Sequence, residues 1–227
     1  MSTLPTGEAK ARMVRQMFDR IAPRYDLVNR VMTLGLDVRW RKRTVTELRL
    51  APGSRVLDLA CGTGDLCREL ARADLRPVGV DFAEAMLRAA RTSAPLVHAD
   101  ILRLPFDDAS VDGVTCGFAL RNVADLRELF AEMARVVRPG GRFALLEVSE
   151  PPGGAMRALH GFYFNRVVPV IGGMLSDAQA YRYLPDSVAY LPSAPELTRM
   201  LLDAGFGTTA RTRLTAGAAQ LFAGTRT

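Results

Sequence analysis

Lysine is almost missing from this sequence: Lys10 and Lys42 are the only two, so the net charge of +6 is carried by arginine. An arginine-based positive balance suits nucleic acid, anionic lipid or an acidic substrate and selects none of them. A GC-rich coding sequence produces the same bias. Cysteine is also scarce. Cys61, Cys67 and Cys116 are odd in number and lack the paired spacing of a zinc site, which fits a reducing compartment better than a disulfide framework. The two histidines, His98 and His160, stand apart from any acidic or cysteine cluster, so no metal site is expected. No run approaches the roughly 18 apolar residues that a membrane span needs. The opening stretch MSTLPTGEAKARMV has no apolar core, so no signal peptide is expected. Internal repeats and low-complexity linkers are lacking too.

What is present is a chain of 227 residues, 48% hydrophobic and 24% charged, long enough for one well-buried domain. Its centre is Val56-Leu57-Asp58-Leu59-Ala60-Cys61-Gly62-Thr63-Gly64-Asp65-Leu66. An apolar run meets an acid, turns through two glycines, and continues at helical spacing into Leu70. Strand, tight loop and helix are predicted, with the helix N-terminus and bare glycine backbone offered to a nucleotide-type ligand. A dinucleotide fingerprint needs a third glycine at position 67, where this chain has Cys67. NAD is therefore the minority reading. Asp58-x-Ala60-x-Gly62-x-Gly64 instead resembles the first motif of the class I S-adenosyl-L-methionine (SAM) methyltransferases.

Residues 8–50 read as amphipathic helices, broken at Pro23 and closed by Pro52-Gly53, forming a cap over the sheet. Pro77 to Asp81 is a second strand ending in an acid, with a helix over Ala83 to Arg91. Leu96 to Ile101 is a third strand, also ending in an acid at Asp100. Asp81 follows Gly64 by 17 residues, where a carboxylate can accept from both ribose hydroxyls. The expectation is that Asp58, Asp81 and Asp100 all point into one crevice. Asp112 to Gly117 makes the fourth strand, Leu126 to Val137 a helix, and Arg142 to Val148 the fifth strand. Two terminal strands, Thr208–Leu214 and Ala218–Gly224, form a hairpin. This alternation predicts an α/β fold with a doubly wound, mostly parallel seven-stranded sheet, a helical cap over 1–50 and a C-terminal antiparallel strand. The whole of 1–227 is expected to be one domain, interrupted by an apolar, aromatic segment at 152–192 that serves as a buried packing helix or a substrate wall.

Five ordered blocks then carry a more specific resemblance. Phe18-Asp19-Arg20-Ile21-Ala22-Pro23-Arg24-Tyr25-Asp26-Leu27-Val28-Asn29, with Trp40, is similar to the opening signature of the menaquinone and ubiquinone biosynthesis C-methyltransferase family. Thr33 and Asp37 stand where that signature usually has serine and histidine. The remaining blocks are Val56 to Leu66, Phe118 to Val123, Arg135 to Gly141 with Glu147 and Ser149, and Tyr183-Leu184-Pro185-Asp186-Ser187. The resemblance implies SAM as cofactor, held by Asp58, Gly62, Thr63, Gly64, Asp81, Asp100, Ile101 and Gly117. Relatives commonly have serine at the last position, so a hydroxyl contact there is lost. The substrate implied is the reduced ring of a demethylated polyprenyl quinone, as in conversion of demethylmenaquinol to menaquinol. Arg121, Asn122 and Tyr25 are the polar residues expected beside that ring. The implied enzyme is cytoplasmic and peripheral at the inner face of the membrane, using the 156–175 segment (Met156, Leu159, Phe162, Phe164, Val167, Val168, Ile171, with Arg157 and Arg166) and Arg12, Arg15 and Arg20.

Three rivals follow from the same residues, one of them a non-enzymatic SAM-binding or scaffold protein. A nucleic-acid amino-methyltransferase would carry Asp/Asn-Pro-Pro-aromatic after the fourth strand to hold a flipped base. Gly117-Phe118-Ala119-Leu120 stands there instead, so no nucleic-acid partner is expected. A methyltransferase acting on another phenolic or secondary-metabolite acceptor is the stronger alternative.

Overall fold

The computed structural model describes residues 6–168, 170, 183 and 187–227, without the side chains at 155, 156, 159, 160, 164 and 165. Leu184-Pro185-Asp186, Pro169, Ile171 and Gly172-Gly173, with the side chains of Met156, Leu159, His160 and Phe164, lie outside the described residues.

Seven strands among the described residues form one sheet in the order β3-β2-β1-β4-β5-β7-β6. The strands are β1 Arg55–Leu59, β2 Arg76–Asp81, β3 Leu96–His98, β4 Val111–Gly117, β5 Val137–Val148, β6 Phe206–Leu214 and β7 Ala219–Arg226. β1 pairs in parallel with β2 (Leu57↔Val78) and with β4 (Leu57↔Val114). Only β7 runs against its neighbours, pairing antiparallel with β5 (Leu145↔Phe222) and β6 (Ala210↔Ala223). The chain winds outward from β1 to β3, then returns to β4 on the other side. The crevice at the carboxyl ends of β1 and β4 is the place where a doubly wound sheet binds its ligand.

β1 is apolar at Val56, Leu57 and Leu59, with Asp58 between them, because helices cover both of its faces. Leu57 and Leu59 pack with Phe143, Phe222, helix α6 (Leu126–Val136) and helix α8 (Ala194–Asp203). Val56 faces the other way, against Leu48 of α3 (Leu36–Leu48) and Leu66 and Leu70 of α4 (Asp65–Arg72). Asp125 caps α6, its Oδ1 accepting from the backbone of Arg127 at 2.8 Å and Glu128 at 3.1 Å.

The N-terminal cap is built of α1 (Gly7–Ile21) and α2 (Tyr25–Met32), with α3 behind. Met17, Ile21 and Val28 bury their side chains against Met86 of α5 (Glu84–Arg88). The cap is tied to the sheet at distant points. Lys10 Nζ donates to the Val123 carbonyl at 2.8 Å, and the Trp40 indole donates to the Thr215 hydroxyl at 2.8 Å. Helix α7 (Gly154–Phe162) continues as a π-turn over Tyr163–Val167, and the Tyr163 hydroxyl donates to Met32 at 2.8 Å. That bond lays the described part of the apolar segment alongside α2.

Candidate active site

The loop after β1 uses left-handed backbone three times, at Ala60 (φ 52°), Gly62 (φ 54°) and Gly64 (φ 80°). At Gly64 a side chain is excluded twice over, because a Cβ would lie 2.6 Å from Thr92 Cγ2. The loop is fixed by Asp81 at the end of β2. Its Oδ2 accepts from Gly62 N at 2.7 Å and its Oδ1 from Ala83 N at 2.8 Å. Burial pushes the Asp81 carboxyl above its ordinary range, while the N–H groups of Ala83, Gly62 and Phe82 work against that rise. The carboxylate keeps acceptor capacity for a ligand hydroxyl.

One cavity lies over the carboxyl ends of β1, β2 and β4, closed above by α1 and α2. Of the residues expected at the site, Tyr25, Gly62, Asp81, Asp100, Ile101, Gly117 and Asn122 line it. Asp58, Thr63, Gly64 and Arg121 do not line it. Phe18, Val14 and Met86 give the cavity an apolar flank. An adenosine fits these surroundings. The Gly62 Cα faces open space, Asp81 offers a carboxylate acceptor, and apolar side chains cover the remaining wall. Gly117 has only Leu66 Cδ2, at 3.8 Å, near the position a Cβ would take, so the serine of relatives would be accommodated.

The expectation that three acids share the crevice needs correction at Asp58. Successive strand residues point to opposite faces, and Asp58 shares its face with Val56. Its carboxylate is 1% exposed and accepts from Thr115 Oγ1 at 2.9 Å and from the Cys67 thiol at 3.4 Å. Asp58 thus ties β4 to α4 behind the loop. Asp100 sits past the end of β3, exposed, and accepts from Leu102 N at 2.9 Å. The Thr63 hydroxyl donates to Asp26 of α2, so the cap grips the glycine loop directly.

Arg121 lies in the turn Leu120–Asn122 after β4 and is 6% exposed. Its guanidinium pairs with Glu147, itself wholly buried, and donates to the Phe118 carbonyl at 2.8 Å and to Ser187 Oγ at 3.1 Å. It stands behind the cavity wall rather than in it. Asn122 Oδ1 accepts from the Tyr183 hydroxyl at 3.3 Å. Among the described residues no group of three His, Cys, Asp or Glu is placed to hold a metal. His98 contacts the Phe82 carbonyl at 3.0 Å.

The sequence reading missed two groups. Lys10 is buried against Val123 and lies 3.9 Å from the centroid of the Tyr190 ring, and burial lowers its pKa to about 8. The other is an ion network joining α2, α3 and α4. Arg41 pairs with Asp37 and, at 3.3 Å, with Asp65; Arg30 approaches Asp37 at 3.7 Å and Asp65 at 3.8 Å; Arg68 pairs with Asp65. Burial disfavours the Arg41 charge, but Asp65 and Asp37 outweigh it and hold its pKa above the ordinary value. Helical spacing of Asp37 and Arg41 was a legible signal for one pair; the partner on α4 was not.

Asp58 gives a testable pH dependence. Burial raises its pKa from 3.8 to about 7, against the opposing bonds from Thr115 and Cys67. Because the folded value lies above the unfolded one, its contribution is most favourable below about pH 4 and is lost as pH rises to 7. Asp58→Asn keeps an acceptor for Thr115 and removes the ionisation. Urea unfolding should show the variant gaining on the parent between pH 4.5 and 8, by at most on the order of 4 kcal/mol. A difference that does not change with pH would mean that Asp58 is ionised throughout.

Comparison with known proteins agrees with this geometry. The family model described as the ubiE/COQ5 methyltransferase family matches residues 6–226. The chain is 41% identical over 227 residues to the ubiquinone/menaquinone biosynthesis C-methyltransferase UbiE of Geobacter sulfurreducens, covering 95% of this chain and 89% of that one. It is 46% identical over 201 residues to the demethylmenaquinone methyltransferase of Thermus thermophilus, covering 84% and 91%. Among solved structures, a SAM-dependent methyltransferase of Thermotoga maritima superposes with a TM-score of 0.60 at 18% identity, over 93% of this chain and 99% of that one. A phosphoethanolamine N-methyltransferase of Haemonchus contortus in complex with SAM gives 0.62 at 15% identity, over 83% and 52%. Such distant likeness speaks to the fold. The sequence relatives speak to the family: the chain belongs to the ubiE/COQ5 methyltransferase family and is a SAM-dependent methyltransferase.

Proposed function

We propose that the enzyme methylates a ring carbon of a reduced, demethylated polyprenyl quinone, converting a demethylmenaquinol to a menaquinol. The observation that carries this reading is a cavity that joins a ribose-type acceptor, Asp81, to an apolar flank ending in Tyr25 and Asn122. When bound, SAM supplies an electrophilic methyl on a sulfonium. Gly62, Asp81, Asp100, Ile101 and Gly117 are the cavity residues proposed to hold it, with Asp58, Thr63 and Gly64 shaping the loop.

The acceptor's carbon becomes nucleophilic when a neighbouring ring hydroxyl is ionised, so the site must favour an oxyanion and fix the ring. Burial raises the Tyr25 pKa above its ordinary 10, which keeps the phenol protonated and a hydrogen-bond donor at neutral pH. Asn122 gives its oxygen to Tyr183 and so retains its amide N–H groups for the acceptor. Arg121 acts as a positioning residue. Locked on Glu147 and the Phe118 carbonyl, it holds the turn that carries Asn122. Preorganised donors of this kind act mainly in the transition state. The runner-up reading, methylation of another phenolic acceptor, uses the same donors. A turnover panel separates the two. Short-chain demethylmenaquinol should be methylated at a kcat/KM at least about tenfold above simple phenols or benzoquinols, corresponding to about 1.4 kcal/mol. Equal turnover of simple phenols would remove the quinol assignment.

Asp81→Ala should weaken SAM binding by roughly 1.5–3 kcal/mol, the loss expected for charge-assisted hydrogen bonds, since both the ribose acceptor and the Gly62 brace disappear. Titration calorimetry reads this directly. Unchanged affinity would move the ribose elsewhere.

The reading extends to the membrane surface. Leu27 and Leu34 beside α2 are 58% and 81% exposed, and Phe162 and Val170 are 61% and 59% exposed on the segment that Tyr163 ties to α2. Arg30 and Arg157 stand close by in the chain, partly exposed. No helix among the described residues is long and apolar enough to cross a membrane. An apolar face edged by arginine suits peripheral contact with anionic lipid, which would deliver a polyprenyl acceptor to the cavity. The parent should sediment with anionic vesicles at low salt, and Leu27→Ser/Leu34→Ser/Phe162→Ser should be released with unchanged SAM affinity. Failure of the parent to associate, even with a long-tailed acceptor present, would sink the membrane assignment and leave the chemistry standing.

A further inference from the structure

A second concave site lies on the outer side of the glycine loop and shares no lining residue with the cavity. Arg68 and Arg72 of α4, with Arg91, Thr92 and Ser93 beyond α5, line this open cleft. The acids nearby do not balance its arginines. Arg68 pairs with Asp65, but Asp65 is shared with Arg30 and Arg41. Arg72 pairs with Glu69. The exposed side chains of Arg91 and Ser93 have no partner among the described residues. Five arginines (Arg30, Arg41, Arg68, Arg72, Arg91) thus stand against three carboxylates (Asp37, Asp65, Glu69), an excess of two positive charges. A lone exposed arginine is simply solvated, whereas several along one cleft focus the field onto an anion. Hydroxyl donors stand beside them. Thr92 Oγ1 accepts from Ala94 N at 3.1 Å, which leaves its own proton to donate.

The cleft is also wired to the glycine loop. Arg91 N donates to the Thr63 carbonyl at 3.0 Å. Arg68 Nη1 donates to the Arg91 carbonyl at 2.9 Å and lies 3.4 Å from the Thr63 carbonyl. Thr92 packs its methyl where Gly64 has no side chain. We propose that this cleft binds the phosphate group of a soluble ligand, and that its occupation strengthens cofactor binding through the glycine loop. Guanidinium forks meet phosphate oxygens in pairs, and an anion that draws Arg68 and Arg91 together tightens the bonds that hold Thr63. The coupling is reciprocal, so the cofactor raises phosphate affinity by the same factor. A soluble phosphate suits the cleft better than a lipid headgroup. None of the large exposed apolar side chains among the described residues lines it, so nothing there holds an acyl chain.

Calorimetry on the full chain tests both halves, with ionic strength held constant by chloride so that screening does not change. Protein saturated with S-adenosyl-L-homocysteine, its cavity filled, should still bind inorganic phosphate saturably. Arg91→Gln removes the guanidinium and keeps the backbone bond to Thr63. It should bind phosphate about tenfold more weakly, or worse, and Arg91→Lys should fall between. In the reverse titration, phosphate should raise the parent's affinity for S-adenosyl-L-homocysteine about fivefold or more. Arg91→Gln should match the parent without phosphate and fail to respond when it is added. Absence of saturable phosphate binding, or equal binding by parent and Arg91→Gln, would overturn the site. Phosphate binding that leaves S-adenosyl-L-homocysteine affinity unchanged would overturn the coupling. Binding to phosphatidic acid vesicles through Arg91, with none to inorganic phosphate or glycerol 3-phosphate, would overturn the soluble ligand in favour of a lipid.

Discussion

The site depends on one carboxylate. Asp81 ends β2, and its two oxygens reach in different directions, to Gly62 on the neighbouring crossover and to Ala83 ahead of α5. Parallel strands share hydrogen bonds along their length but stop supporting one another where they end, so the loops beyond them need separate ties. Asp81 supplies that tie. It does so where water is excluded, which strengthens each hydrogen bond and raises the cost of leaving either N–H unmet. The left-handed backbone at Ala60 and Gly62 is held in place by the same contact.

Around that point the protein is assembled from two halves that meet at the cavity. The sheet contributes strand ends and bare backbone. The cap contributes side chains, and each of its helices is fastened to a different part of the sheet: α1 through Lys10 to Val123, α2 through Asp26 to Thr63, and α3 through Trp40 to Thr215. Three fastenings far apart in sequence define an orientation, as one would not. The apolar contacts of Met17, Ile21 and Val28 with Met86 fill the space between them. Burial provides most of the adhesion, and the polar ties provide the register.

Much of this was legible in the order of residue types, for reasons that differ from element to element. β1 and the glycine loop stood out because a strand covered on both faces shows as an apolar run, interrupted here only by Asp58, and because left-handed turns select glycine. The terminal hairpin was legible to within two residues of its observed ends. Other boundaries were not. β5 begins at Val137, not Arg142, because Arg138-Pro139-Gly140-Gly141 forms an irregularity inside the strand, where the pairing with β4 passes from Val111↔Val137 to Gly113↔Arg142. α5 stops at Arg88, short of the expected Arg91, whose backbone N–H instead meets the Thr63 carbonyl at 3.0 Å. Asp58 was misdirected because an acid near a strand end reveals its type but not its face. Arg121 was set facing the ring because its partner, Glu147, comes from the next strand, 26 residues on. Lys10 drew no notice because nothing near it in sequence announces the Val123 carbonyl.

The three cysteines carry a consequence of another kind. Cys61, Cys67 and Cys116 are all reduced and buried; Cys61 belongs to the glycine loop and Cys67 to α4, and their sulfurs would lie 2.8 and 3.1 Å from a side-chain Cβ at Gly79. Burial raises the Cys116 thiol well above its ordinary range, and the Cys67 thiol is raised by its bond to Cys61 and by burial. Native protein therefore holds Cys67 and Cys116 as buried thiols, slow toward an alkylating reagent. A reagent reaches Cys67 only in molecules whose α4 has moved away from Asp58. The rate of alkylation at that one sulfur is thus a clock for opening of the helix that follows the cofactor loop, written into the chain without any added label.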